Sequence, residues 1–439
     1  MKGLGLRALS KNFGSTLFRQ VASGLLSLAT TAIIARHYGP EGNGAFYVLL
    51  LLPNILGVFL SMGIGPANIY LIGSGKATPR DALRTNYLAA SAAGVFGIVF
   101  GGLFIFLKGN VAFPGIEMSH LGLALLIFPI SLLTSLLAGI YQGLQDFKIF
   151  NKILILQPAI FFVFVLSLLL FDNTEMTVLI TSYWISCFVV LVWTILHISK
   201  EFAKSTERKM TNTQFLKSSM GYGWKVNLAS ILSFLNYKMD ILLVNFFMTT
   251  SAAGVYVISV TLAEKLWIVS TALSTVLLPR LSELSNDESK RKQLTPMISR
   301  FMLLFMFLVC LPLALIIRPA TELIFGDQYL KSIEPLLILL PGILAVAVAR
   351  VWANDIAARG KVEVNMYIGF LTFVINLVGN IYLIPIYGLH GAAIATTISY
   401  TTVSVVTLVL YCRISSNNFL EALIVSKEDI NKILLILRR

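Results

Sequence analysis

The stretch Tyr38-Gly-Pro-Glu-Gly-Asn-Gly-Ala-Phe46 lies between two long apolar runs and is echoed much later as Met248-Thr-Thr-Ser-Ala-Ala-Gly-Val-Tyr256, again between two such runs. Aligning Gly44 with Gly254 gives a register of 210 residues, close to half of the 439 in the chain. A second pair supports a similar period: Gly143 and Asn151 separate the fourth and fifth apolar runs, and Gly360 and Asn365 separate the tenth and eleventh. Internal duplication in a mostly apolar chain is the sequence mark of a transporter assembled from two structural repeats.

Composition sets the solvent. Apolar residues make up 57% of the chain and charged residues 13%, too much apolar surface for a water-soluble protein of this size. A helix crossing about 30 Å of hydrocarbon needs about 20 apolar residues. Twelve stretches qualify: 15–35, 45–72, 85–107, 121–141, 153–171, 178–198, 222–248, 252–278, 301–317, 336–357, 364–386 and 388–411. Six fall in each half, so the second half enters the membrane with the orientation of the first and the repeats are parallel. The expected fold is an all-α integral membrane protein of 12 transmembrane helices in two parallel six-helix bundles, residues 1–205 and 206–413, followed by a tail, 414–439.

Lys and Arg assign the sides. With a cytoplasmic N-terminus, 25 of the 34 basic residues fall in inside segments and four (Arg36, Lys108, Arg318 and Lys331) fall outside. A bias of that size places both termini in the cytoplasm. The net charge of +13 then reflects topology and attraction to anionic inner-leaflet lipid, not nucleic-acid binding. Lys2 and Arg7 resemble the basic start of a signal peptide. The apolar run after them is too long for one and leads into the Gly-Pro turn, so it reads as the first span. Cys187, Cys310 and Cys412 have no paired or metal-like spacing and read as apolar filler, with no cofactor implied. From Ser415 onward, Phe419, Leu420, Leu423, Ile424, Ile430 and Ile433 alternate with charged residues, the pattern of an amphipathic helix on the inner leaflet.

Several stretches, in order, carry a family resemblance. Ala35-Arg-His-Tyr-Gly-Pro-Glu-Gly-Asn-Gly-Ala-Phe46 resembles the turn that opens bacterial polysaccharide exporters, and Lys238-Met-Asp240 with Ala253-Gly-Val-Tyr256 resembles its second-half partner. Leu278-Pro-Arg-Leu-Ser282, Phe325-Gly-Asp-Gln-Tyr329, Ala358-Arg-Gly-Lys361 and Ile384-Pro-Ile-Tyr-Gly-Leu-His-Gly-Ala-Ala393 are similar to the later signatures; His390 stands where a small or apolar residue would be unremarkable. Over essentially the whole chain the order and spacing resemble the Wzx-like flippases of O-antigen and other polysaccharides, in the multidrug/oligosaccharidyl-lipid/polysaccharide exporter superfamily. The resemblance implies two bundles around a central cavity that opens alternately to either side of a bacterial inner membrane. Its cargo would be a polyprenyl-(pyro)phosphate-linked oligosaccharide. Membrane lipids, a coupling proton or sodium ion and a glycan polymerase machinery are its implied partners.

Ionisable side chains at membrane depth usually face a wet cavity or a partner. The candidates are Arg19, Lys225, Lys238, Lys265 and Arg350 for binding the substrate, and Asp240, Glu264 and Asp355 as ion-coupling groups or charge partners. Five of the eight are basic, which suits a pyrophosphate head group. Ser15, Arg19, Ser23, Ser27 and Thr31 recur every four residues and form one polar stripe, as a cavity-lining helix requires. Arg19 and Lys225 also lie near span ends, where a long side chain can snorkel to the head groups. Lys238 and Asp240, two residues apart, face different sides of a helix. Arg350 with Asp355 is a candidate pair holding a closed gate. Pro53, Pro129, Pro158, Pro312 and Pro341, with Gly57, Gly63, Gly65 and Pro66 in the second span, are candidate kinks. A cation-coupled multidrug exporter is the alternative; it would favour acids in its cavity. A membrane glycan polymerase or ligase is disfavoured by short outside loops and the lack of a nucleophile, metal cluster or carboxylate pair.

Overall fold

A computed structural model describes residues 6–202, 208–284 and 287–424. Every regular element in it is helical. The chain forms two compact units, residues 1–254 and 255–439.

In the first unit α1 (Leu6–Leu60) covers the first expected span and most of the second, departing from helical geometry only at Gly39, with φ 67° and ψ −176°. A positive φ is cheap for glycine alone, and Pro40 after it has no N–H to leave unpaired. The second span breaks again at Gly63 (φ 71°) before α2 (Ile64–Gly73). Next come α3 (Pro79–Ala112), α4 (Met118–Leu125), α5 (Ile127–Gly143), α6 (Phe147–Leu170), α7 (Met176–Phe202) and α8 (Asn212–Phe247). Thr78 and Asp81 close a reciprocal capping box at the start of α3, and Asp81 also accepts the Lys209 backbone N–H at 3.1 Å, tying the segment before α8 to α3. Phe46 stacks on Phe161 of α6 at 5.5 Å, within a core of Ile34, Val165, Leu168 and Leu179. The opening sequence turn is itself a contact: Asn43 donates from Nδ2 to the Gly254 carbonyl at 3.0 Å, and the two glycines of the 210-residue register pack backbone against backbone. A Cβ on Gly44 would stand 1.9 Å from the Thr250 carbonyl oxygen, and one on Gly254 would stand 1.8 Å from that of Pro40. Small residues let helices approach this closely.

The second unit holds most of α9 (Thr250–Lys265), then α10 (Trp267–Glu283), α11 (Glu288–Phe325), a 3-10 turn (Asp327–Ser332), α12 (Ile333–Ala358), α13 (Val362–Tyr387), α14 (Leu389–Ser415) and α15 (Phe419–Leu423). The eighth expected span is not one rod: α9 and α10 meet at 41°. Helix α15 is held down by Ser299, whose hydroxyl donates to the Ala422 carbonyl at 2.7 Å, and by Arg300, which donates to that of Glu421. It covers the start of the expected amphipathic tail; the rest of that tail, with Ile430 and Ile433, lies outside the described residues.

Among the described residues nine helices are long and apolar enough to cross a membrane, or ten if the bent α9–α10 pair is one span. The chain is a multi-pass membrane protein. The twelve expected stretches reduce to this number because α1 runs through two of them and because α8, with Lys217, Lys225, Lys238 and Asp240, is too polar to count on hydropathy.

Candidate functional site

Arg19 sits half-buried on α1, and its Nε donates to Oδ1 of Asn151 on α6 at 3.0 Å. Asn151, 8% exposed, begins the second turn of α6, a helix whose start is fixed by the Asp146 carboxylate accepting from the Lys148 and Ile149 N–H groups, each at 3.1 Å. That single bond orients the guanidinium plane. Among the described residues no side chain takes up the two Nη groups. A guanidinium held by Nε presents both Nη donors in the geometry that matches a phosphate or carboxylate.

Phe150, the neighbour of Asn151, belongs to the wall of a cavity of about 490 Å³ inside this unit, bounded by α2, α5, α6 and α7. Its polar lining is neutral: Ser131, Thr134, Ser135 and Gln142 on α5, Gln157 on α6 and Tyr183 on α7, set among Ile69, Ile153, Leu154 and Val190. Cys187 also borders it; like Cys310 and Cys412 elsewhere, it is buried and free. The polar stripe of α1 does not supply this wall. Thr31 turns its hydroxyl onto its own helix, donating to the Ser27 carbonyl at 2.7 Å, and meets the Tyr47 hydroxyl. A threonine inside a helix satisfies itself this way when no water is at hand.

The other expected site residues fall into different surroundings. Lys225 is exposed on α8, its Nζ 5.9 Å from the ring of its neighbour Trp224, as a snorkelling side chain would be. Lys238 is half-buried against Leu51 and Ile55 of α1, beside a gap of about 10 Å³ that is no ligand site. Asp240, 3% exposed, faces away from it, as two residues of separation on a helix require. Glu264 and Lys265 end α9 immediately before the bend, so they mark a helix break and not the middle of a straight span. Lys265 in a last turn complements the partial negative charge of the helix end.

Arg350 lies over the indole of Trp267, 4.9 Å from its centroid, and donates to Ser270 at 3.4 Å, with Asn354 reaching Ser274 one turn further on at 2.9 Å. These contacts zip α12 to α10. Asp355 is fully buried and is held by the Thr295 hydroxyl at 2.6 Å and by Arg359, one turn along. Its partner is therefore Arg359, where the sequence offered Arg350. Arg359 reaches on to Glu288 at 2.8 Å, and Arg291 donates to the carbonyls of Leu281 and Ala358 at 2.7 and 3.3 Å. Burial alone would lower the pKa of Arg359, which lies just beyond α12; the carboxylates of Asp355 and Glu288 outweigh that and raise it. This cluster fastens α10, α11 and α12 together at one end. His390, flagged as unusual, contacts Glu334 at 2.6 Å on the surface.

Charge-based reading missed Asn151, Ser135, Gln142, Gln157 and Tyr183, because none is ionisable. Two glutamines in apolar runs were the available signal, since an amide in hydrocarbon is costly unless it meets a partner or a ligand.

With this geometry in view, the relatives become informative. The fold is similar to that of the lipid II flippase MurJ in its inward closed conformation, with a TM-score of 0.72 and 16% identity over 96% of this chain and 92% of that one. In sequence the chain is 24% identical to a putative O-antigen transporter of Shigella flexneri, over 93% of this chain and 99% of that protein. It is 25% identical to the capsular polysaccharide biosynthesis protein CapF of Staphylococcus aureus, over 89% and 96%. Residues 33–334 match the model of the polysaccharide biosynthesis protein family, and the chain belongs to that family.

Proposed function

We propose that the protein is a flippase that carries a polyprenyl-(pyro)phosphate-linked oligosaccharide from the inner to the outer leaflet of a bacterial inner membrane by alternating access. The observation that carries this reading is Arg19: a guanidinium inside an apolar bundle, oriented by Asn151 and with neither Nη group taken up among the described residues, in the unit that also holds a cavity walled by neutral hydrogen-bonding side chains. The cation suits the phosphate of the carrier and the neutral wall suits its glycan. No carboxylate lines the cavity, so a cationic drug would find no counter-charge there. The O-antigen transporter and the lipid II flippase among its relatives handle cargo of the same general kind.

In this reading the membrane part has twelve transmembrane helices in two six-helix bundles, 1–205 and 206–413, with both termini cytoplasmic. The count follows if α1 is taken as two spans hinged at Gly39 and the polar α8 as one more beside the ten apolar spans. Asp240 or Glu264 couples turnover to a proton or sodium gradient. Asp355 is a fixed charge partner of Arg359.

Complementation decides the matter. In cells lacking the protein, Arg19→Ala should restore membrane insertion without restoring surface glycan, and Arg19→Lys should restore part of it, since it keeps the charge without the fork. Full surface glycan from Arg19→Ala would remove the observation on which the proposal rests.

A further inference from the structure

We infer that the cavity of the first unit is a docking site for a neutral sugar ring of the lipid-linked substrate; the inference rests on the flippase reading and adds where that substrate's identity is read.

The hydrogen-bond accounts of the wall carry the argument. On α5, Ser131 and Thr134 donate to the carbonyls of Phe128 and Ile130 at 3.0 and 2.8 Å, so towards the cavity they offer lone pairs only. Gln157 donates to the Ser186 hydroxyl at 3.1 Å, which leaves its Oε1 as an acceptor. Ser135 and Gln142 have no partner among the described residues, so a hydroxyl and a whole amide remain to donate and accept. A wall that offers both donors and acceptors without a charge is complementary to hydroxyl and acetamido groups, each of which donates and accepts at once. A phosphate, which only accepts and carries charge, would leave Gln157 Oε1 and the serine and threonine lone pairs facing it. An acyl or prenyl chain would leave all of them unpaired, each at the desolvation cost of a buried polar group.

Size and place agree. About 490 Å³ falls within the roughly 300–1,000 Å³ typical of small-molecule pockets. The apolar side chains among the polar ones, Ile69, Leu154 and Val190, give the C–H face of a pyranose something to pack on. Arg19, oriented by Asn151, belongs to the same unit as the cavity and supplies that unit with a group suited to the phosphate of the same substrate.

Ser135, exposed on the cavity wall, supplies the position for a reporter, Ser135→Cys. The full chain carrying it in nanodiscs would be treated with a small thiol reagent, and alkylation at that position followed by peptide mass spectrometry. The probes are short-prenyl pyrophosphates bearing hexoses or N-acetylhexosamines, and the same prenyl pyrophosphate with no sugar. At ten times its Kd, at least one sugar-bearing probe should slow the reaction about tenfold, while the sugarless probe should leave it unchanged. Gln142→Leu and Gln157→Leu should erase that difference, with thermal unfolding unshifted as the check on folding. Equal protection by the sugarless probe would overturn the inference and assign the cavity to the prenyl chain. Binding of every probe without protection would also overturn it, while leaving the flippase reading in place. Binding of no pyrophosphate probe, in a sample whose unfolding is normal, would overturn the flippase reading and this inference with it.

Discussion

Gly44→Ala is the sharpest test of the helix crossing that the opening motif builds. The added methyl would stand 1.9 Å from the Thr250 carbonyl oxygen and 2.7 Å from the Gly254 nitrogen. A carbon meets a carbonyl oxygen comfortably at about 3.3–3.6 Å, so the two backbones must part by roughly 1.4 Å at this point. Backbone atoms cannot rotate away as a side-chain tip can, and the nearby Asn43 bond to Gly254 would stretch with them. Overpacking of this kind costs about 1–3 kcal/mol. Gly254→Ala should do the same, since its methyl would meet the Pro40 carbonyl at 1.8 Å. The double variant should cost less than the sum, because the first methyl already opens the gap that the second needs. Gly102→Ala is the control: nothing lies within 4 Å of its added methyl, and alanine in a helix gains about 0.5–1 kcal/mol over glycine. Thermal unfolding in detergent, read by intrinsic fluorescence, should place Gly44→Ala and Gly254→Ala several degrees below the parent and Gly102→Ala at or above it. A Gly44→Ala protein melting with Gly102→Ala would show that the crossing is not close-packed.

Asn151→Ala should lower surface-glycan export without changing protein level, because it frees Arg19 to swing while keeping its charge; export equal to the parent would deny Asn151 a positioning role. Asp355→Leu alone should cost about 1–3 kcal/mol in an unfolding titration, by leaving the buried Thr295 hydroxyl without its acceptor and Arg359 with Glu288 alone, and the Asp355→Leu, Arg359→Leu pair should recover part of it; equal losses in both would mean the pair is not coupled. Asp240→Asn or Glu264→Gln should free export from its dependence on the proton or sodium gradient if that carboxylate is the coupling group, and full gradient dependence in both would exclude the two. For topology, Glu175→Cys should react with an impermeant maleimide on intact cells and Lys361→Cys only after permeabilisation; the reverse pattern would invert the orientation.

The spans were legible because length and hydropathy are local properties, and the Gly39 turn was legible because Gly-Pro can do little else. The break after Gly63 was foreshadowed by the cluster of Gly57, Gly63, Gly65 and Pro66. The bend between α9 and α10 was not, since Ala263-Glu-Lys-Leu-Trp267 contains neither glycine nor proline and runs in good helical residues. Nothing in its local propensities announces it.

The site divides the same way. An ionisable residue in an apolar run is conspicuous from sequence, but its role depends on what another helix brings to it. Asp355 is bound by Arg359 and Thr295, Arg350 by Trp267, and both become fasteners of the second unit. Among the described residues Arg19 meets only an amide, which neutralises nothing. A cation neutralised by a carboxylate stabilises a fold and binds little, whereas one oriented by a neutral group keeps its attraction for an anion. The neutral cavity wall invites the complementary test. Discrimination among glycans that share one phosphate must come from groups that lose hydrogen bonds when the wrong sugar enters, and an amide left unpaired discriminates more strongly than an extra apolar contact does. If the cavity holds a sugar as proposed, substitutions at Gln142 or Gln157 should change which glycan is exported, read from the surface glycan of complemented cells, where substitutions at Arg19 change whether any is; Gln142→Leu and Gln157→Leu cells exporting the parent's range of glycans would refute it.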